Sequence, residues 1–128
     1  MVDDYAPWRD FVCSTLRELP IVLIVGEASD GLEAVQKAQE FRPDLILLDL
    51  CLPKLNGIEA ARQTCECFPQ SKIIIVSENR SSTVALAALR VGALGYVVKS
   101  RAATELLPAV EAVLQNEPFM STGLDEQI

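Results

Sequence analysis

The chain has 128 residues, 50% hydrophobic and 23% charged, which is one domain with room for its own core and excludes a disordered polypeptide. Eleven Lys and Arg against eighteen Asp and Glu leave a net charge of -7, so the surface as a whole repels phosphate backbones and anionic membranes. Histidine is absent, which removes Ser-His and Cys-His catalysis, and Cys65-x-Cys67 is too tight for the usual zinc spacings.

Five short apolar runs alternate with longer stretches of helical spacing, the form taken by repeated strand-helix units around a parallel sheet. The first run is only a stub, Met1-Val2. Helix 1 comes next over about Pro7 to Leu19, with Trp8, Phe11, Val12, Leu16 and Leu19 at helical intervals, Pro7 in the first turn and Pro20 as the stop. Trp8 reads as packing on its core face. The second run, Ile21 to Val25, leads to Ser29-Asp30-Gly31, where Asp30 is the expected N-cap of helix 2. That helix sets Leu32, Val35, Ala38 and Phe41 on one stripe and stops before Pro43. The third run, Leu45 to Leu48, precedes helix 3, where Ile58, Ala61, Cys65 and Phe68 share a face and the cysteines read as small core residues.

The fourth run is Ile73 to Val76, succeeded by an Ala- and Leu-rich helix 4 over about Ser82 to Val91. The fifth, Tyr96 to Val98, precedes helix 5 over about Ala102 to Gln115, where Pro108 predicts a late start or a kink. Residues 1–115 thus read as one domain, and 116–128 as a fraying tail or the start of a linker. Right-handed crossovers make the five units a doubly wound α/β sandwich of three layers. No apolar run approaches the roughly 18 residues of a membrane helix, and the N-terminus is no signal peptide, so the expected location is cytoplasmic.

The reactive side chains come directly after the apolar runs: Asp3 and Asp4 after the stub, Asp49 after the third, Ser77 after the fourth and Lys99 after the fifth. These are strand carboxyl ends, where open α/β sheets bind ligands. Three carboxylates in close company repel one another unless they share a cation, and an incomplete oxygen shell suits magnesium, which keeps waters and accepts phosphate oxygens. Lys99 then supplies a point charge for a phosphoryl group and Ser77 a hydrogen bond to it. Asp49, on the most apolar run, is the natural nucleophile for an acyl phosphate.

The acidic pair Asp3-Asp4, the segment Asp44-Leu-Ile-Leu-Leu-Asp49-Leu-Cys-Leu-Pro53-Lys-Leu-Asn-Gly57, Ser77 and Gly92-Ala-Leu-Gly95-Tyr96-Val-Val-Lys99 resemble the receiver domain of two-component response regulators. The resemblance covers Met1 to about Leu114. It implies a flavodoxin-like sheet of order 2-1-3-4-5 and a phosphoryl group passed to Asp49 from a histidine kinase or phosphotransfer protein. It implies Mg2+ bound by Asp4, Asp49 and the Cys51 backbone carbonyl, with Asp3 acting through water. Ser77 and Lys99 would hold the phosphoryl group, and Tyr96 would change rotamer to switch the face made by helix 4, the fifth strand and helix 5. That face is also the expected homodimer surface.

Glu27-Ala-Ser-Asp-Gly31 and Lys99-Ser100 resemble receivers that precede a LuxR-type helix-turn-helix domain, so the chain reads as a receiver cut from a longer transcription regulator. By the same resemblance it is a signalling phosphoacceptor, with at most self-phosphorylation and self-dephosphorylation, and its net charge leads to the expectation of no direct contact with nucleic acid or membrane. Two departures stand out. Met1-Val2 is short against a typical strand of about five residues, so the first strand reads as truncated, and Ser100 replaces a common proline. Taken singly, Asp3-Asp4 also read as a cap, Asp49 as a turn residue, Ser77 as a strand-end cap, Lys99 as a solvated charge and Tyr96 as a strand aromatic. Two other functions stay open. One is a pseudo-receiver that binds proteins without taking phosphate. The other is an aspartyl-nucleophile phosphatase, against which stands Cys51 where such enzymes place a second acid.

Overall fold

The computed structural model describes residues 1, 5–19, 28, 30–50 and 57–124. The expected first two strands and the loop at 51–56 lie outside them, except that the Met1 carbonyl accepts a hydrogen bond from the Ala28 N–H at 3.0 Å. Among the described residues the elements are α1 (Ala6–Leu16), α2 (Gly31–Phe41), β1 (Leu45–Leu48), α3 (Gly57–Cys67), β2 (Lys72–Ser77), α4 (Ser82–Arg90), β3 (Gly95–Val98), a 3-10 turn (Lys99–Arg101), α5 (Ala102–Leu114) and β4 (Phe119–Met120). β1, β2 and β3 are the third, fourth and fifth of the expected runs. They pair in parallel in the order β1-β2-β3-β4, with Leu48 opposite Ile75, Ser77 opposite Val98 and Tyr96 opposite Met120.

The strands are apolar on both faces because helices cover both. Ile46, Leu48, Ile73, Ile75, Tyr96 and Val98 pack on one side against Ala34, Ala38, Ala60, Ala61, Ala85 and Ala88 of α2, α3 and α4. Leu47, Ile74, Val76 and Val97 point to the other side, against Val12 and Leu16 of α1 and Leu106, Ala109, Val110 and Val113 of α5. This alternation is the period of two of a pleated strand, and it produces the doubly wound, flavodoxin-like sandwich.

Local signals set several boundaries. Asp30 caps α2, its carboxylate accepting from the Glu33 N–H at 2.8 Å, and Ser81 caps α4 through the Val84 N–H at 3.4 Å. α1 ends at Leu16, three residues earlier than the sequence predicts, and gives way to a turn. α2 is also turned relative to its expected stripe: Gly31, Ala34 and Ala38 are buried, whereas Leu32 and Phe41 are exposed. Of the α3 cysteines Cys65 is half-buried and Cys67 exposed, so only the first fits a core role. α5 runs from Ala102 through Pro108 with no late start. Pro108 and Thr104 both lie on the exposed side, where water can satisfy the Thr104 carbonyl that proline leaves without a donor.

Part of the segment expected to fray is ordered. Phe119 and Met120 form β4 on the open edge of β3, and the Ser121 N–H continues the ladder to the Tyr96 carbonyl at 2.8 Å. Ser121 Oγ accepts from the Val98 N–H at 3.2 Å and donates to Glu105 at 2.8 Å, while the Thr122 N–H donates to the other Glu105 oxygen at 3.0 Å.

Candidate functional site at the strand ends

The register raises the functional groups step by step along one edge of the sheet. Asp49 comes directly after the last residue of β1, Ser77 closes β2, and Lys99 is the first residue beyond β3. Asp49 is 7% exposed and Ser77 2%, and the Lys99 Nζ stands 3.7 Å from Asp49 Oδ2. A carboxylate and an ammonium thus meet at the carboxyl edge, with a hydroxyl at the end of the strand between them. A buried carboxylate is tolerated there because a cation faces it. Gly57 closes the near side: its N–H donates to the Leu50 carbonyl at 2.8 Å, and a Cβ at this position would meet the Asp49 and Leu50 backbone. Asp3, Asp4 and Cys51, the remaining expected metal ligands, lie outside the described residues.

On the opposite side of the sheet Tyr96 is fully buried, and its hydroxyl donates to the Asn79 carbonyl at 2.7 Å. The Asn79 N–H donates to Ser77 Oγ at 3.1 Å, and the Asn79 side-chain oxygen accepts from the Ser81 N–H at 2.9 Å. Asn79 therefore stands between Ser77 and Tyr96. Its position two residues past Ser77 marks it in the sequence as a residue that borders the site. The pair Glu105 and Ser121 left no such signal, being sixteen residues apart in an apolar helix and a tail without pattern. Burial raises the Glu105 pKa, but the Thr122 N–H, the Ser121 and Thr122 hydroxyls and the Arg101 charge together hold it below its usual value.

The fold and this edge define a class: a doubly wound domain that places an acidic, a hydroxyl and a cationic side chain at the ends of adjacent parallel strands. The family model described as "Response regulator receiver domain" matches residues 1–111, and the chain belongs to that family. It is 35% identical over 122 residues to the transcriptional regulatory protein LiaR of Bacillus subtilis, covering 95% of this chain and 58% of LiaR. It is 32% identical to the nitrate/nitrite response regulator NarL of Escherichia coli, covering 97% of this chain and 57% of NarL. The chain thus spans less than two thirds of the length of these relatives. Among solved structures, a LuxR-family two-component response regulator from Aurantimonas superposes with a TM-score of 0.92 at 36% identity, over 96% of this chain and 88% of that one. The response regulator domain of Thermotoga maritima CheB gives 0.83 at 33% identity, over 91% and 95%. Receiver domains of response regulators are signalling proteins, and response regulators receive phosphoryl groups from histidine kinases. No helix among the described residues is long and apolar enough to cross a membrane.

Proposed function

We propose that this chain is a phosphoacceptor switch, in which Asp49 takes a phosphoryl group from a phosphohistidine on a partner kinase or phosphotransfer protein. An Asp49 oxygen forms the new bond to phosphorus as the nitrogen-phosphorus bond breaks, and the released imidazole takes a proton from solvent. The observation that carries this reading is the buried Asp49 carboxylate with Lys99 Nζ at 3.7 Å and Ser77 at the adjacent strand end. Lys99 and Ser77 then hold two phosphoryl oxygens by charge and by hydrogen bond. The donor set fits a hard divalent cation: Asp3, Asp4, Asp49 and the Cys51 carbonyl are all oxygen donors. When bound there, Mg2+ would neutralise charge between the carboxylates and the incoming phosphoryl oxygens.

A pull on Ser77 reaches Tyr96 through Asn79, because Ser77 Oγ and the Tyr96 hydroxyl both bond to the Asn79 backbone. The readout is the face of α4, β3 and α5, which also serves as the homodimer surface, and the output is transcription through a LuxR-type domain. The location is cytoplasmic, and the chain acts as a signalling phosphoacceptor without an external substrate to turn over.

Intact-protein mass after incubation with acetyl phosphate and magnesium tests the reading. One phosphoryl adduct is expected, lost with a chelator and lost in Asp49→Asn, while Lys99→Ala still labels in part but no longer switches. Labelling that survives Asp49→Asn overturns the assignment. A folded wild-type protein with no adduct favours a phosphate-independent binding module.

A further inference from the structure

The Lys99 ammonium has a second neighbour that the phosphoacceptor chemistry does not use. Its Nζ sits 5.0 Å from the centroid of the Trp8 ring, within cation-π range, while Asp49 Oδ2 is 3.7 Å away. Trp8 is the single tryptophan of the chain. Its place is fixed by the first turn of α1, where the Tyr5 carbonyl accepts from the Trp8 and Arg9 N–H groups, and Phe11 one turn later braces the indole at 5.3 Å. The indole Nε1 is buried and has no hydrogen-bond partner among the described residues. The ring packs against the α1 and α5 side of the core and, with Tyr5, Phe11, Glu78 and Arg80, lines the cleft into which Lys99 opens.

We infer that Trp8 is a positioning residue for Lys99, an inference that rests on the phosphoacceptor reading. An ammonium drawn only to a buried carboxylate closes to direct contact, about 2.8 Å, and covers an oxygen that must attack phosphorus. The indole face, 5.0 Å away, attracts the same ammonium. With the indole sharing that attraction, Nζ stays within reach of the phosphoryl oxygens and leaves the Asp49 oxygen accessible.

Two measurements test this, one of them independent of phosphorylation. In the resting protein the Lys99 ε-methylene proton resonance should lie upfield through the indole ring current, and should return to the ordinary lysine position in Trp8→Leu. Labelling by acetyl phosphate with magnesium should slow about two- to fivefold in Trp8→Leu, the range a partly exposed cation-π contact supports. Trp8→Phe, which keeps an aromatic face and most of the packing volume, should recover much of that rate and serves alone if Trp8→Leu does not fold. In a Lys99→Ala background neither change should slow labelling further. An unshifted Lys99 resonance overturns the inference, as does an equal loss of rate with and without Lys99, which leaves Trp8 with packing alone. A wild-type protein that shows the shifted resonance but takes no phosphoryl group overturns the phosphoacceptor reading, and the positioning role falls with it.

Discussion

Asp49 and Gly57 show how closely two stretches of backbone pass at the end of β1. The first turn of α3 passes so near the end of β1 that a Cβ on Gly57 would meet the Asp49 carbonyl and come within 2.8 Å of Leu50 Cα. Neither neighbour is a flexible side-chain end that can swing aside, so the backbone itself must move. Gly57→Ala is expected to cost about 1–3 kcal/mol as an overpacked contact, read by urea denaturation. Because the displaced backbone carries Asp49, labelling by acetyl phosphate should slow in the fraction that still folds. At this scale the sequence marked Asp49, Ser77, Tyr96 and Lys99 by their places after or within apolar runs. It read Trp8 as packing, which is half its setting: contact with Lys99 needs α1 and the end of β3 brought together on one side of the sheet.

Among the elements, β4 and the residues after it matter most. Glu105 is 9% exposed in α5, and its carboxylate joins Ser121 and Thr122 to the body of the domain. Ser121→Ala removes both the acceptor for the Val98 N–H and a donor to Glu105, and leaving such buried groups unpaired costs about 1–3 kcal/mol. Since the folded-state pKa of Glu105 is held below its unfolded value, its contribution is present above the ordinary carboxylate range and is lost as pH falls through the depressed folded pKa. Urea midpoints compared for wild type and Glu105→Gln should therefore differ at pH 7 and converge in acid. A gap unchanged down to pH 3 would show that the Glu105 charge plays no part. A two-residue strand has no periodicity to read, which is why this segment looked like a linker in sequence, whereas Asp30 and Ser81 announced their helices by chemistry local to each cap.

For the molecule as a whole, β4 covers part of the edge of β3, so the proposed self-association over the face of α4, β3 and α5 is expected to use the sides of α4 and α5. Leu86, on α4 and 50% exposed, is the large apolar side chain available there. Light scattering of the protein phosphorylated with acetyl phosphate should give a dimer that Leu86→Glu weakens at least tenfold in concentration. A sample that stays monomeric at high concentration counts against that surface.

The sequence alone determined the class of fold, because runs buried on both sides and helical stripes between them have few other ways to bury their apolar faces. It also placed Asp49, Ser77 and Lys99 together, since parallel strands of one sheet all end at the same edge. Tertiary structure decided what depends on distance and facing. The sheet admits alanines of α2 at close approach and leaves Leu32 and Phe41 in solvent, a choice that the helical period by itself leaves free. The alternation of side chains across the sheet sends Lys99 toward Trp8 on one side and Tyr96 toward Asn79 on the other. Residues 119–122 join the body of the domain because β3 offers an unpaired edge and Glu105 a buried carboxylate, two partners that meet only once the chain has folded.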